Sequence, residues 1–345
     1  MLRGISVIAG LVISLTLQCG TVFAGSAEGD PQMLSMIADA NKKNVSQIQT
    51  WVGSANIDTV LRRAGHKSTI PTLPASWGPM AWTLIPHSAR AGGLDSRVKF
   101  TSTFAMDIPL QMKRLSWRVT EAKEKKEDGT LADAPEQQMQ NRDLMLRPDG
   151  FFVLANAFRR VGSTQWERGL VIWPATDADR RSGPLARDLD PVRYMYVFNH
   201  PVPQYVTHVR EMWPQFAGSS ADLKVNRSGD VVEIDYTGDN KKKDESINRT
   251  RYDLAKGANV IEEFASGMGI TGKTTIDYVQ LSGVWVPSVV HQESVHLDRD
   301  GTEIEYWAET VRFVTGQINT PLSAKDFTPE MMGVVPETRV SDDRN

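Results

Sequence analysis

One segment of the sequence matches a phosphate-binding motif. Residues 267–274, GMGITGKT, fit the pattern G-x-x-x-x-G-K-[ST]. In nucleotide-binding proteins this loop wraps its amide groups around phosphate at the start of a helix. Here the residues that follow, 274–279, alternate and are rich in β-branched types, which predicts a strand. We therefore interpret 267–274 as a Gly-rich connection in a β-hairpin.

Two groups of potential metal ligands also have simpler interpretations. His291 and Glu293 share one face of a predicted strand, whereas His296 points to the other, and a metal would need a further convergent ligand. The acidic stretch 298–303 is too compressed for a calcium loop and lacks the bidentate acid at the twelfth position. A hairpin turn explains it better, and we expect no metal and no cofactor.

The sequence offers no recognisable nucleophile. It contains no G-x-S-x-G elbow. Its single cysteine, Cys19, lies in a predicted signal peptide, and Gln18 and Thr16 before it do not fit a lipidation motif. The mature chain would then lack cysteine, which excludes thiol catalysis and disulfides. A hydrolase assembled from distant Ser, His and Asp stays open, but no catalytic residue can be named.

The N-terminus has the three parts of a secretory signal. Arg3 provides the positive region, residues 5–17 are an apolar run, and Val22-Phe23-Ala24 is a small-x-small cleavage site. We expect cleavage after Ala24, with Ala27 as the second choice. The apolar run is too short for a permanent span, which needs about 20 residues. These features predict a periplasmic or secreted protein of a bacterial envelope.

The charge balance excludes one class of partner. Lys and Arg number 39 and Asp and Glu 42, for a formal net charge of −3, and the basic residues are scattered. Nucleic-acid binding normally requires a basic patch, so no nucleic-acid partner is expected. A chain of 345 residues is compatible with one large β domain or with two domains.

The hydrophobic pattern indicates one helix followed mostly by strands. Residues 31–44 have helical spacing, with Asp30 as N-cap and Pro31 at the first helical position. A strand is expected around 48–57, followed by a Pro- and Gly-rich excursion over 61–96. Strict alternation then predicts strands over 98–108 and 113–119, and further strands are expected over 151–158 and 170–173.

The remaining elements complete a mainly β chain. Residues 121–142 are charged and predict a solvated connection, and 204–216 predict a helix that covers a face of the sheet. A meander of strands, separated by turn residues, is expected at 231–237, 247–255, 259–266, 274–282, 284–297 and 302–314.

These elements predict a mainly β (α+β) fold. We expect an incomplete antiparallel β-barrel, or a strongly curved sheet, with helices covering the concave face. The predicted organisation is a signal peptide over 1–24, one β-rich domain over 25–335 with insertions near 61–96 and 175–229, and a flexible C-terminal tail over 336–345.

Several stretches together resemble the periplasmic lipoprotein-sorting carriers LolA and LolB and their relatives. The matching features are the helix after the signal peptide, 48–53 (IQTWVG), the turn 109–118 (PLQMKRLSWR) between two strands, and 322–327 (LSAKDF) after the meander. The resemblance implies a LolA-like incomplete barrel whose helices plug a hydrophobic cavity. It also implies a lipid or an acylated lipoprotein as partner.

The leading functional hypothesis is a non-enzymatic carrier of a lipid or a lipoprotein acyl chain, without a permanent membrane span. An alternative is an envelope scaffold with a filled core that recognises a protein through 61–96, where Trp77, Met80 and Trp82 would be exposed. The third is an envelope hydrolase. Under the carrier hypothesis, the candidate cavity residues are Phe100, Phe104, Met106, Leu115, Trp117, Phe151, Val153, Met212 and Trp213.

Overall fold

The fold is taken from a computed structural model of the chain. It describes residues 27–28, 31–63, 95–126, 128–133, 141–159, 166–177, 192–197, 200–207, 209, 222–237, 247–267, 270–297 and 300–344. Several features expected from the sequence lie outside these residues: the signal peptide, Trp77, Met80, Trp82, and the candidate cavity residues Met212 and Trp213.

The described residues form one long α-helix, α1 (Pro31–Val45), and many strands. The first ten strands are β1 (Ala27–Glu28), β2 (Thr50–Arg63), β3 (Asp95–Asp107), β4 (Met112–Lys125), β5 (Leu131–Asp133), β6 (Arg142–Arg147), β7 (Gly150–Arg159), β8 (Trp166–Trp173), β9 (Tyr196–Val197) and β10 (His200–Pro201). The later strands are β11 (Asp222–Ser228), β12 (Val231–Thr237), β13 (Ile247–Asp253), β14 (Asn259–Gly267), β15 (Ile270–Leu281), β16 (Val284–Leu297), β17 (Glu303–Ile318) and β18 (Arg339–Asp342). Short 3₁₀ turns lie at Ala175–Asp177, Arg193–Met195, Leu254–Lys256, Ala324–Asp326 and Pro329–Met332.

Apart from the small β9–β10 ribbon, these strands form a large mixed sheet that does not close. Almost all neighbours are antiparallel, and the parallel pairs, β1 with β11 and β18 with β8, involve the two chain ends. The prediction of a mainly β fold with an open sheet is confirmed.

The contacts divide the chain into two compact units. Unit 1 comprises 1–47 and 190–310, and its strands follow the order β1-β11-β12-β13-β14-β15-β16. Unit 2 comprises 48–189 and 311–345, with the order β2-β3-β4-β6-β7-β8-β18 and β5 on β4. Strand β17 contributes residues to both units. One domain over 25–335 stays a prediction.

In unit 1, helix α1 packs on one face of the sheet. Its fully buried Leu34 and Ile37 belong to a core cluster with residues of β12, β13 and β14: Val232, Ile234, Tyr252 and Val260. Helical residues 202–207 bring Val202, Tyr205 and Val206 into the same cluster. The predicted helix over 204–216 therefore begins at Val202, and its described part covers the sheet of unit 1.

Two asparagines attach the end of α1 to the strands of unit 1. Asn41 Nδ2 donates to Asn259 Oδ1 at 2.9 Å. The Asn44 side chain makes two hydrogen bonds with the backbone of Trp285. Its Nδ2 donates to the Trp285 carbonyl and its Oδ1 accepts from the Trp285 N–H, both at 3.0 Å. Such paired bonds fix the register of a helix against a strand, because both backbone groups of one residue are satisfied at once.

In unit 2 the sheet is buried on both faces. One face holds a cluster of Ala105, Met145, Phe152, Leu154, Leu170 and Ile172, packed with the C-terminal residues Phe327 and Met332. The two 3₁₀ turns at Ala324–Asp326 and Pro329–Met332 carry these last side chains back over the strands. The C-terminal segment thus closes this face.

Two predicted loops contain regular structure. Residues 121–142 were expected to be a solvated connection, but β4 continues to Lys125 and β5 pairs with its end, placing Ala132 opposite Glu124. The long excursion 61–96 is shorter at both ends than expected, because β2 and β3 pair as far as Arg62 with Asp95.

The C-terminal prediction also needs correction. Residues 336–345 were expected to form a flexible tail, yet Arg339–Asp342 form a strand that pairs with β8 from Gly169 to Ile172. Strand β18 lies at an edge of the sheet and buries little apolar surface, so most of its residues are exposed. The hydrophobic pattern of the sequence therefore did not indicate a strand here.

The contact between Gly257 and α1 gives a stability prediction. Gly257 and Gly229 both have positive φ, 70° and 62°, but a Cβ on Gly257 would lie 2.7 Å from Asn44 Cβ, while one on Gly229 would meet nothing within 4 Å. We expect Gly229→Ala to cost about 1–2 kcal/mol through its backbone conformation alone. Gly257→Ala should cost about 1–3 kcal/mol more, because Asn44 must move. Urea unfolding measures both, and equal losses would contradict the packing argument.

Candidate functional site

The apolar residues of unit 2 that do not belong to the C-terminal cluster form rows across the other sheet face. The strand register sets Phe104 opposite Leu115, Leu115 opposite Leu144, and so on across five strands. The complete row is Phe104, Leu115, Leu144, Val153 and Val171. We call this surface the apolar face.

A second row lies beside the first and is aromatic at both ends. Trp51 and Met106 lie at one end of this row, and Phe151 and Trp173 lie at the other. The rings of Phe151 and Trp173 stack with their centroids 6.0 Å apart. Between them, Lys113 and Leu146 occupy the positions on β4 and β6.

Aromatic contacts bind neighbouring strands within the apolar face. Phe104 meets the Trp51 ring edge to face at 5.8 Å and the Phe313 ring at 6.0 Å. Phe100 and Trp117 make a tighter T-shaped pair, with centroids 4.8 Å apart. Such pairs add about 0.5–1.5 kcal/mol each to the energy of burial, so they stabilise the packing of this face.

The structure brings together the seven candidate cavity residues that it describes. Each is at most 9% exposed, and all seven lie on the apolar face: Phe100, Phe104, Met106, Leu115, Trp117, Phe151 and Val153. Whether a lipid contacts them stays a prediction.

Sequence analysis missed several residues of this face, among them Leu144, Val171 and Arg142. Arg142 is the charged one. It was assigned to the charged connection, but it is the first residue of β6 and pairs with Trp117. Its side chain is buried, and its guanidinium carbon lies 4.7 Å from the centre of the Trp117 ring. Burial lowers the pKa of Arg142 to about 9. The short apolar run 144–146, ahead of the turn residues Pro148 and Gly150, is the signal that could have revealed the strand.

The next residue, Asp143, lies on the opposite face with Leu154. Its carboxylate accepts two hydrogen bonds from Arg118 Nη2, both at 2.9 Å, and a third from Arg168. The Arg118 guanidinium also donates to the Arg142 carbonyl at 3.0 Å. Two arginines thus form ion pairs with one buried carboxylate, and these ion pairs fix the position of β6 between its neighbours.

The phosphate-motif segment is part of a hairpin, as expected. Ser266 on β14 pairs with Thr271 on β15, and Lys273 makes an ion pair with Glu262 at 3.4 Å. The motif lysine therefore lies on a strand and pairs across the hairpin, whereas phosphate binding would require a helix start.

The candidate metal ligands in unit 1 are likewise part of a strand. His291 Nδ1 lies 3.0 Å from Thr310 Oγ1 on β17, and Glu293 pairs with Lys273 in the strand register. Within the described residues, no three His, Cys, Asp or Glu side chains are grouped to hold a metal ion.

Arg142 gives a prediction about stability and pH. The pKa of Arg142 is lower in the folded chain than its ordinary value. Above pH 9 the unfolded chain therefore binds more protons than the folded chain, and the stability of the fold rises with pH. Below pH 9 the full cost of the buried charge is present. We expect the parent to gain stability relative to Arg142→Met between pH 9 and pH 10.5, because the buried guanidinium of the parent loses its proton in that range. Urea unfolding at both pH values measures it.

The matched control is Arg312→Met, because Arg312 is exposed on β17. It should change stability by at most about 0.5 kcal/mol. A difference in stability between Arg142→Met and the parent that stays the same from pH 7 to pH 10.5 would contradict the prediction.

Comparisons with known proteins give the following results. No family model and no curated protein matches the sequence. A solved domain from Vibrio parahaemolyticus, provisionally described as outer membrane lipoprotein-sorting, is 8% identical over 88% of this chain and 99% of its own, with a TM-score of 0.36. A DUF1329 family protein from Desulfovibrio piger is 8% identical over 88% of this chain and all of its own, with a TM-score of 0.30. In the described part of the chain, no helix is long and apolar enough to cross a membrane.

Proposed function

We propose that this protein is a non-enzymatic carrier that holds the acyl chain of a lipid or lipoprotein against the apolar face of unit 2. The observation that carries the proposal is the composition of this face. Phe104, Leu115, Leu144, Val153 and Val171 give an uninterrupted apolar row across five strands. Neighbouring strands lie about 4.8 Å apart, so the row is roughly 19 Å long, comparable with an extended acyl chain.

The opposite face of the same sheet does not suit cargo. Phe327 and Met332 of the C-terminal segment are buried in its cluster, and Arg147 Nη1 donates to the Phe327 carbonyl at 3.1 Å. The chain itself therefore occupies that face. The carrier proposal therefore assigns the cargo to the apolar face.

The energetics are those of transfer out of water. Each buried methylene contributes about 0.8 kcal/mol, so twelve of them give roughly 10 kcal/mol before the cost of ordering the chain. This is sufficient to solubilise one acyl chain. No bond has to be made or broken, so the proposed activity needs no catalytic residue.

The proposed location of the protein rests on its N-terminal sequence. Arg3, the apolar run 5–17 and the Ala24 cleavage site are the basis for placing the mature protein in the periplasm or outside the cell. A carrier at that location would move acylated molecules through an aqueous compartment.

A displacement titration tests the proposal. Mature protein is loaded with a fluorescent fatty acid, and Phe104→Arg is compared with Phe104→Ala. We expect Phe104→Arg to weaken uptake by about 100-fold or more, because it places a charge in an apolar row. Phe104→Ala should retain uptake, because it only enlarges the apolar space. Near-UV circular dichroism verifies that each variant is folded.

The control is Ile108→Arg, which changes an exposed residue in the turn after β3 and should leave uptake unchanged. Native mass spectrometry of protein purified from its own envelope should also detect bound lipid. Folded parent protein that arrives empty and takes up no acyl probe would contradict the carrier and favour the scaffold with a filled core.

A further inference from the structure

We propose that Arg118 and Arg168, which share the carboxylate of Asp143, bind a phosphate group. We call these three residues the arginine site. The site lies on the sheet face opposite to the apolar face, so the proposal does not depend on the carrier function. The ligand class is a phosphate ester, either in a soluble molecule or in the headgroup of a lipid.

The strand register brings the three residues of the arginine site to one end of this face. Asp143 on β6 lies opposite Ser116, and Arg118 comes two residues later on β4. Arg168 comes two residues before Leu170 of the C-terminal cluster. Residues two apart on a strand point to the same side. The two arginines therefore approach Asp143 from opposite sides of β6, next to the cluster.

The charges at the arginine site do not balance. Arg118 Nη2 donates to both oxygens of Asp143 at 2.9 Å, and Arg168 Nη2 also donates to Oδ2. Two positive charges thus share one negative charge. Among the described residues, no other acid forms an ion pair with either arginine. One positive charge therefore remains in excess.

Water reaches the two guanidinium groups but hardly reaches the carboxylate. The side chains of Arg118 and Arg168 are 41% and 38% exposed, whereas that of Asp143 is 4% exposed. Arg118 donates through both Nη atoms, but Arg168 donates to Asp143 only through Nη2. A guanidinium has five N–H donors, so Arg168 can bind a ligand from the solvent side while it keeps its bond to Asp143.

Repulsion between the two guanidinium groups favours a second anion. Burial lowers the pKa of Arg168, the positive charge of Arg118 lowers this pKa further, and Asp143 opposes both effects. An anion bound beside Arg168 stabilises its charged form and offsets the repulsion from Arg118. The site therefore gains more from an anion than a single exposed arginine does.

The neighbouring side chains favour phosphate among anions. Ser116 lies opposite Asp143 in the register, and Thr101 lies opposite Arg118. A guanidinium matches two oxygens of a phosphate with parallel N–H donors, and hydroxyl groups can donate to a further oxygen. A phosphate has enough acceptor oxygens for both kinds of donor, whereas a carboxylate has only two oxygens.

Titration of the mature protein with inorganic phosphate at pH 7 and low salt tests the site. Proton–nitrogen NMR follows the Nε–Hε signals of Arg118 and Arg168. We expect phosphate to shift both signals in the parent. In Arg168→Met the excess charge is removed while Arg118 still binds Asp143, so the Arg118 signal should report binding about tenfold or more weaker. Arg312→Met, which removes an exposed arginine of unit 2, should bind like the parent.

A second pair of variants leaves all three residues of the site in place. Thr101 is exposed and lies opposite Arg118 on the neighbouring strand. Thr101→Glu places a carboxylate where it can compensate the excess charge, and we expect it to weaken phosphate binding by about tenfold. Thr101→Gln has nearly the same shape without the charge and should bind like the parent. This pair decides the question if Arg168→Met does not fold.

Vesicle flotation distinguishes the two sources of the phosphate group. Vesicles of phosphatidylcholine are compared with vesicles that contain phosphatidylcholine and phosphatidylglycerol in equal parts. Flotation with the anionic vesicles that is lost in Arg168→Met and retained in Arg312→Met indicates a lipid headgroup. Binding of inorganic phosphate without flotation indicates a soluble phosphate ester.

Two results would overturn the proposal. The first is a parent protein whose arginine signals do not respond to phosphate and that does not float with anionic vesicles. The second is an equal loss of binding in Arg168→Met and Arg312→Met, because the attraction would then come from the net charge of the protein and not from the arginine site.

Discussion

The structure of unit 2 depends on one constraint: both faces of its sheet are withdrawn from water. A strand in such a sheet cannot alternate between apolar and polar residues. Phe151, Phe152, Val153 and Leu154 accordingly follow each other on β7, with alternate side chains on the apolar face and in the C-terminal cluster. Buried polar groups are favoured where they have a hydrogen-bonding partner, and the arrangement around β6 provides such partners for Asp143.

Strand β6 places opposite charges next to each other in sequence and on opposite sides in space. Asp143 sits among apolar side chains but receives bonds from Arg118 and Arg168. Arg142 rests over Trp117 on the other side. A buried ion pair stabilises little in net terms, because desolvation opposes the attraction. The main effect of the ion pairs around Asp143 is therefore to fix the register of β6.

Much of the fold was predictable because turn residues delimit its strands. The prediction of strands over 231–237 and 284–297 is confirmed with these bounds. Seven of the nine candidate residues could be assigned to one face because a strand has a fixed period of two. Arg142 was missed because a charged residue is normally solvated, and only tertiary contacts reveal its burial. The strand at Arg339–Asp342 was missed because its pairing depends on a distant edge and not on its own composition.

The last strand also constrains how the chain can fold during synthesis. A polypeptide that emerges N-terminus first presents β8 long before β18, because Asp342 is separated from its partner Ile172 by 170 residues. Until then the outer hydrogen-bonding groups of Gly169 to Ile172 are open to any other extended chain. Pairing of this edge therefore waits for residues 339–342, and until then the unpaired strand can join another chain and aggregate.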